Sequence, residues 1–202
     1  MIDEAAQGPL LARAQRLLGR LGTQSLRQGY WKTFWLARAR APAHALEELA
    51  RALGSHVGLP GCAGIEWWLG RSYTTRVPVG FHFDLDVEGS GPVRFPLVSS
   101  VFFFNRVRGG QLAVTDQRPD SRGRATPSEP SALQTIAPAP NRFAFFDGSL
   151  FHGVLDAAGR VPGRPLPGPP GRIRRTLVIN HWAARPSGVP TWDESRAYPA
   201  LR

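Results

Sequence analysis

Two histidines and a carboxylate are the residues in this chain best suited to chemistry. His82 and Asp84 are separated by one position in Phe81-His82-Phe83-Asp84-Leu85, and His152 follows about seventy positions later. Two imidazoles and one carboxylate form the ligand set of a non-haem Fe(II) site that keeps open coordination positions. The tripeptide alone is weak. Five histidines and eight aspartates among 202 residues give about one chance in five of some His-x-Asp arising at random. On a strand, side chains two apart share a face, so His82 and Asp84 would project together, about 6.5–7 Å apart along the strand. Asp86 shares that face but lies roughly another 7 Å on, a poorer partner for His82. The third ligand must come from a distant segment. His152 fits, because it follows the apolar run Arg142–Phe146 and the turn Asp147-Gly148-Ser149.

These residues need a β-rich frame, and the chain is built for one. At 202 residues it reads as one domain, 1–202, with room for a sizeable core; 42% of residues are apolar and 20% charged. The 22 glycines and 19 prolines favour many turns. Strands are expected over Ile65–Leu69, Ser72–Val77, Gly80–Val87, Leu97–Asn105, Gln111–Thr115, Thr135–Ala137, Arg142–Phe146, His152–Leu155 and Arg174–Trp182, the pattern of a sandwich or jelly roll. Val101-Phe102-Phe103-Phe104 is apolar on both faces and reads as a central strand covered on both sides.

Residues 1–58 read as largely helical support. Leu10, Leu11, Ala14, Leu17, Leu18 and Leu21 form a stripe that Gly22 would stop, and a second helix is expected from Ala43 to Leu53. Between them, Tyr30–Leu36 is aromatic-rich and fits either a strand or a short helix. Arg118–Ser131 and Asp156–Gly171 are Pro-rich and read as loops. Residues 183–202 form an extended tail, with Trp192 and Tyr198 available to dock it. His44 and His56 read as structural or exposed, and Cys62 as a packed thiol.

The net charge is +10, carried by arginine except for Lys32. The arginines are scattered and few aromatics are interleaved with them, so the charge weighs only lightly towards nucleic acid. One cysteine excludes an intramolecular disulfide. The start Met1-Ile2-Asp3-Glu4 lacks a secretory pattern, and no apolar run approaches the roughly 20 residues of a membrane span. A cytoplasmic protein without membrane association is expected.

The ordered set is more specific than any member of it. His-x-Asp is followed by an apolar strand ending at Asn105, then Gly109-Gly110-Gln111-Leu112, a second apolar strand and His152, and finally Arg172-Ile173-Arg174-Arg175-Thr176-Leu177-Val178-Ile179-Asn180. Over roughly residues 65–182 this order resembles the 2-oxoglutarate- and Fe(II)-dependent oxygenase superfamily, especially its prolyl-hydroxylase-like and phytanoyl-hydroxylase-like members. The resemblance implies a mainly β chain with N-terminal helices and a double-stranded β-helix (jelly-roll, cupin-like) core over 65–182. It implies Fe(II) held by His82, Asp84 and His152, with 2-oxoglutarate and O2 as cosubstrates. It also implies a basic residue on the late strand for the distal carboxylate of 2-oxoglutarate, with a hydroxyl residue two positions on. Arg174 with Thr176 fits best; a one-residue change of register would substitute Arg175. Tyr73 is a candidate phenol for the same cosubstrate.

The activity implied is a dioxygenase that hydroxylates an unactivated C–H of an amino-acid, peptide, protein or natural-product substrate, with release of succinate and CO2. Phe81, Phe83 and Phe102–Phe104 are expected to wall the site, and Trp67 and Trp68 to contribute to its rim or to alternate between core and surface. Two other readings are compatible with the residues: a jelly-roll metal- or ligand-binding module without catalysis, and an oxygenase directed at nucleic acid. The Arg-x-Thr strand, for which a non-oxygenase has no evident need, favours the first reading.

Overall fold

A computed structural model describes residues 1–28, 32–71, 80–87, 92–162, 173–195 and 197–198. Among these residues two helices, α1 (Gly8–Gln28) and α2 (Ala45–Ser55), accompany ten strands. The strands are β1 (Phe34–Ala37), β2 (Gly64–Arg71), β3 (Val98–Phe103), β4 (Gln111–Thr115), β5 (Arg118–Pro119), β6 (Ala125–Thr126), β7 (Leu133–Ile136), β8 (Arg142–Asp147), β9 (His152–Leu155) and β10 (Arg175–Trp182). They form a five-stranded sheet in the order β1-β2-β10-β3-β8, a three-stranded sheet β7-β4-β9, and a small β5-β6 ribbon. Every strand pair is antiparallel.

The period-2 pattern of the large sheet decides its packing. On β10, Leu177 and Ile179 join Trp67 and Leu69 of β2, Phe102 of β3 and Phe143 of β8 against Leu46, Leu49 and Leu53 of α2 and Ala14, Leu17 and Leu18 of α1. On the opposite face, Val178, Val101, Phe103 and Ala144 meet Leu112, Val114 and Ile136 of the small sheet. The helices therefore back the large sheet, and the small sheet covers its other face. Trp67, Phe34, Phe102, Phe103 and Phe143 are among the largest fully buried side chains, each contributing about 1.5–3 kcal/mol by leaving water. The two-sided apolarity of Val101–Phe104 is explained by this double cover.

Several local expectations change. The first helix runs through Gly22 to Gln28, because glycine inside a helix costs only about 1 kcal/mol. The second starts at Ala45 rather than Ala43: His44 is its N-cap, its side chain accepting from the Glu47 amide, and Glu47 Oε2 accepts from the Ala43 amide at 2.7 Å. The aromatic stretch after α1 holds strand β1, whose partner β2 supplies the hydrogen bonds a short helix would have needed internally. The expected loop Arg118–Ser131 contains the β5-β6 ribbon, closed by Asp120, which accepts from the Arg122 and Arg124 amides. The expected strand Ser72–Val77, the residues Tyr73 and Arg172, and positions 163–171 of the second Pro-rich loop lie outside the described residues. The tail docks as expected: Trp192 and Tyr198 are buried in the helix-side core, with Trp192 5.1 Å from Phe34. Among the described residues no helix is long and apolar enough to cross a membrane.

Candidate metal centre and the arginine beside it

His82 is not on a regular strand. The expected strand Gly80–Val87 reduces to two isolated bridges, His82 with His152 and Asp86 with Arg94. The first is a close antiparallel pair: His82 N donates to His152 O at 2.8 Å, and His152 N to His82 O at 3.0 Å. Packing explains why pairing stops there. Phe81 and Phe83 both turn onto Phe151, with ring centroids 5.6 and 4.8 Å away, and Phe81 lies across Gly153. A Cβ at Gly153 would stand 2.8 Å from the Phe81 ring, so glycine beside His152 is what lets the two segments approach.

The bridge brings both imidazoles to one carboxylate. His82 Nε2 is 3.6 Å from Asp84 Oδ1, and His152 Nε2 is 3.4 Å from Asp84 Oδ2. One ligand atom from each residue falls within 4.8 Å of the others. Each imidazole is oriented through its other nitrogen. His82 Nδ1 is 3.0 Å from Gly80 O, and His152 Nδ1 is 2.9 Å from Leu150 O. A carbonyl only accepts, so each Nδ1 carries a proton and each Nε2 is the atom turned towards Asp84. Burial alone would raise the Asp84 carboxyl, but the two imidazoles outweigh it and hold it well below the usual carboxylate range. Two imidazole Nε2 atoms and a carboxylate, with the outer ring nitrogens already bonded, are a donor set that suits a divalent transition metal.

Asp86 is excluded by its own partners. It is buried, ion-paired with Arg94, and accepts from the Ser187 amide at 3.1 Å. His181 faces the helix side, opposite Arg174, and does not join the metal group. His44 and His56 also lie with the helices, and Cys62 is half-buried with its thiol bonded to Gly64 O.

On the late strand it is Arg174, and not Arg175, whose side chain turns inward. Asn105 fixes it: its Oδ1 accepts from the Arg175 amide at 2.9 Å, and its Nδ2 donates to Ile173 O at 2.8 Å. Gripping the backbone on both sides of Arg174 turns that side chain between the two sheets. There it is buried, its guanidinium 5.1 Å above the Phe103 ring, with Nε donating to Gly110 O at 2.8 Å. Gly110 has φ +71°, and a Cβ there would lie 2.8 Å from Arg174 Cδ, so the Gly109-Gly110 turn is shaped around this arginine. Thr176 shares the face and donates to Gly70 O at 3.1 Å. Arg175 is half-buried and lies on the opposite face of β10.

Some neighbours of the site were not singled out by the sequence. Ser99 donates from Oγ to Asp84 Oδ2 at 3.1 Å, and Phe146 meets the His152 ring edge-on at 4.9 Å. Of the expected aromatic wall, Phe102 and Phe104 lie on the helix side, while Phe103 is beneath Arg174. Trp67 is buried against the helices, and Trp68 is half-buried on the other face. Ser99 and Ser100 sit as a polar pair in an otherwise apolar strand, a signal that buried hydroxyls are bonded to something.

No family model matches the sequence, and no curated protein matches it. Solved structures do. A 2OG-Fe(II) oxygenase family oxidoreductase from Burkholderia pseudomallei is 16% identical at TM-score 0.51, the match covering 95% of this chain and 86% of that one. HygX from Streptomyces hygroscopicus, crystallised with nickel, 2-oxoglutarate and hygromycin B, is 13% identical at TM-score 0.52, covering 95% and 84%. SnoN, a non-haem α-ketoglutarate-dependent epimerase from nogalamycin biosynthesis, is 14% identical at TM-score 0.52, covering 93% and 81%. At these identities the likeness is one of fold: this chain has the fold found in the 2-oxoglutarate/Fe(II) oxygenase superfamily.

Proposed function

We propose that this protein is an Fe(II)- and 2-oxoglutarate-dependent oxygenase, a single domain whose two sheets are the double-stranded β-helix of that superfamily. The observation that carries this reading is a group of two oriented imidazole Nε2 atoms and Asp84, together with a buried arginine turned between the two sheets. A metal site alone would suit a binding module. A buried guanidinium with Thr176 beside it is also a group suited to binding a carboxylate.

The chain's own residues have distinct tasks. His82, Asp84 and His152 hold the metal, and the Gly80 and Leu150 carbonyls keep each Nε2 aimed at it. Ser99 orients Asp84. Arg174, with Thr176 beside it, takes the distal carboxylate of 2-oxoglutarate; Tyr73 is the candidate phenol for the same cosubstrate, and Arg175 is assigned no contact with it. Phe146, packed on His152, limits water at the metal side. Fe(II), when bound, supplies the O2 chemistry that no side chain can. Overall, one O2 oxidises both partners: 2-oxoglutarate becomes succinate and CO2, and a substrate C–H becomes C–OH. The substrate class is an amino-acid, peptide, protein or natural-product molecule, and hydroxylation is the reaction favoured. The scattered +10 charge gives no specific support to nucleic acid.

The direct test is to supply the metal-free protein with Fe(II) and 2-oxoglutarate and follow succinate. His152→Ala and Asp84→Ala are expected to lower Mn(II) affinity by at least about a hundredfold, read by electron paramagnetic resonance, since each removes one of three protein ligands. Wild-type Mn(II) binding in both variants refutes the triad.

A further inference from the structure

The inner face of the large sheet carries a polar row at the level of the metal group. Asn180 of β10 pairs in register with Ser99 of β3 on one side and Glu66 of β2 on the other. Residues directly opposite on antiparallel strands point to the same side of the sheet. Ser99 bonds Asp84, so the row runs Asp84, Ser99, Asn180, Glu66. Adjacent strands are about 4.8 Å apart, which puts Glu66 about 10 Å from the Ser99 end.

Two members of this row have unmet needs. Asn180 is 1% exposed, yet among the described residues its Oδ1 has no hydrogen-bond partner. A buried acceptor left unpaired costs about 1–3 kcal/mol, which a donor on a ligand would remove. Glu66 is half-buried between Ile65 and Trp67 on β2. It accepts from Trp182 Nε1 at 3.0 Å and has the Thr33 hydroxyl beside it, but among the described residues it has no salt bridge. Trp68, two residues on, shares its face. A carboxylate, a free amide oxygen and indole faces together favour a cation with N–H donors. A guanidinium already occupies the far end of this face at Arg174, and the Glu66 end carries the carboxylate of the row.

We propose that Glu66 and Asn180 form the substrate-recognition end of this site and that the group they take is a protonated primary amine. The assignment of that amine to a substrate rests on the oxygenase reading, while its binding does not. The probe is trans-4-aminocyclohexanol, compared with its N-acetyl derivative. Both are titrated by ligand-observed NMR into wild type, Glu66→Gln and Asn180→Ala, without metal and then with Mn(II) and 2-oxoglutarate.

Wild type is expected to bind the amine about tenfold tighter than the amide, the size of one charge-assisted hydrogen bond. Glu66→Gln erases the preference, and Asn180→Ala weakens the amine alone. With Mn(II) present, the bound amine's resonances broaden. Equal binding of the two probes by wild type overturns the proposal, and that comparison needs no variant to fold. So does a preference that survives Glu66→Gln. Mn(II) affinity is measured on the same samples. An amine preference without Mn(II) binding refutes the oxygenase reading and supports the amine site. Mn(II) and 2-oxoglutarate binding without an amine preference refutes the amine site alone.

Discussion

Replacing Arg174 is the sharpest test of how the site handles a carboxylate. The side chain is buried, bonded to Gly110 O at 2.8 Å and seated over Phe103. Removing one partner of a buried, hydrogen-bonded charge pair costs about 2–5 kcal/mol, so Arg174→Ala is expected to weaken 2-oxoglutarate by a factor between about 30 and several thousand. Arg174→Lys keeps the charge but not the planar fork, and a loss of about tenfold is expected. Arg175→Ala removes a side chain from the opposite face and should change affinity by less than about threefold. The assay is calorimetric titration of 2-oxoglutarate into Mn(II)-loaded protein at a temperature where all variants are folded. The lost Gly110 bond itself costs only about 1 kcal/mol of stability. The reasoning is refuted if Arg175→Ala abolishes binding while Arg174→Ala binds like wild type, because the inward register set by Asn105 would then be wrong.

Two further outcomes follow from the packing. Burial pushes the His44 imidazole down to about 4. Its unfolded value is about 6.5, so the unfolded chain takes the proton first. The stabilisation is complete above about pH 6.5 and is lost as pH falls towards 4, up to about 3 kcal/mol in all. Denaturant titrations at several pH values should show a shallower acid-side slope in His44→Asn, which keeps an N-cap acceptor without the titration; an unchanged slope refutes it. Gly148→Ala would drive a Cβ into Pro96 O, a backbone atom that cannot swing away. A loss of about 1–3 kcal/mol is expected in thermal or chemical unfolding, and an unchanged midpoint contradicts that packing.

Much of the site could be read in the sequence because its parts are local. His82-x-Asp84, the Gly109-Gly110 turn and Arg174-x-Thr176 are short spacings whose geometry follows from strand alternation and from glycine's access to positive φ. Strands Gln111–Thr115 and His152–Leu155 were legible to the residue, since Gly110 and Asp116 bound the first and Asp156 ends the second. What depended on distant contacts was not legible. The segment around His82 alternates like a strand, but aromatic packing on Phe151 limits it to single bridges. Arg174 and Arg175 are equivalent in sequence; Asn105, about seventy positions away, chooses between them by holding the backbone on either side. Glu66, Ser99 and Asn180 lie on three separate strands, and only cross-strand register puts them in one row with Asp84. The sequence by itself determined which residues could bind a metal and a carboxylate, because that is a matter of side-chain chemistry and short-range parity. Tertiary structure alone decided which of them share one face, because register and burial are set by partners far along the chain.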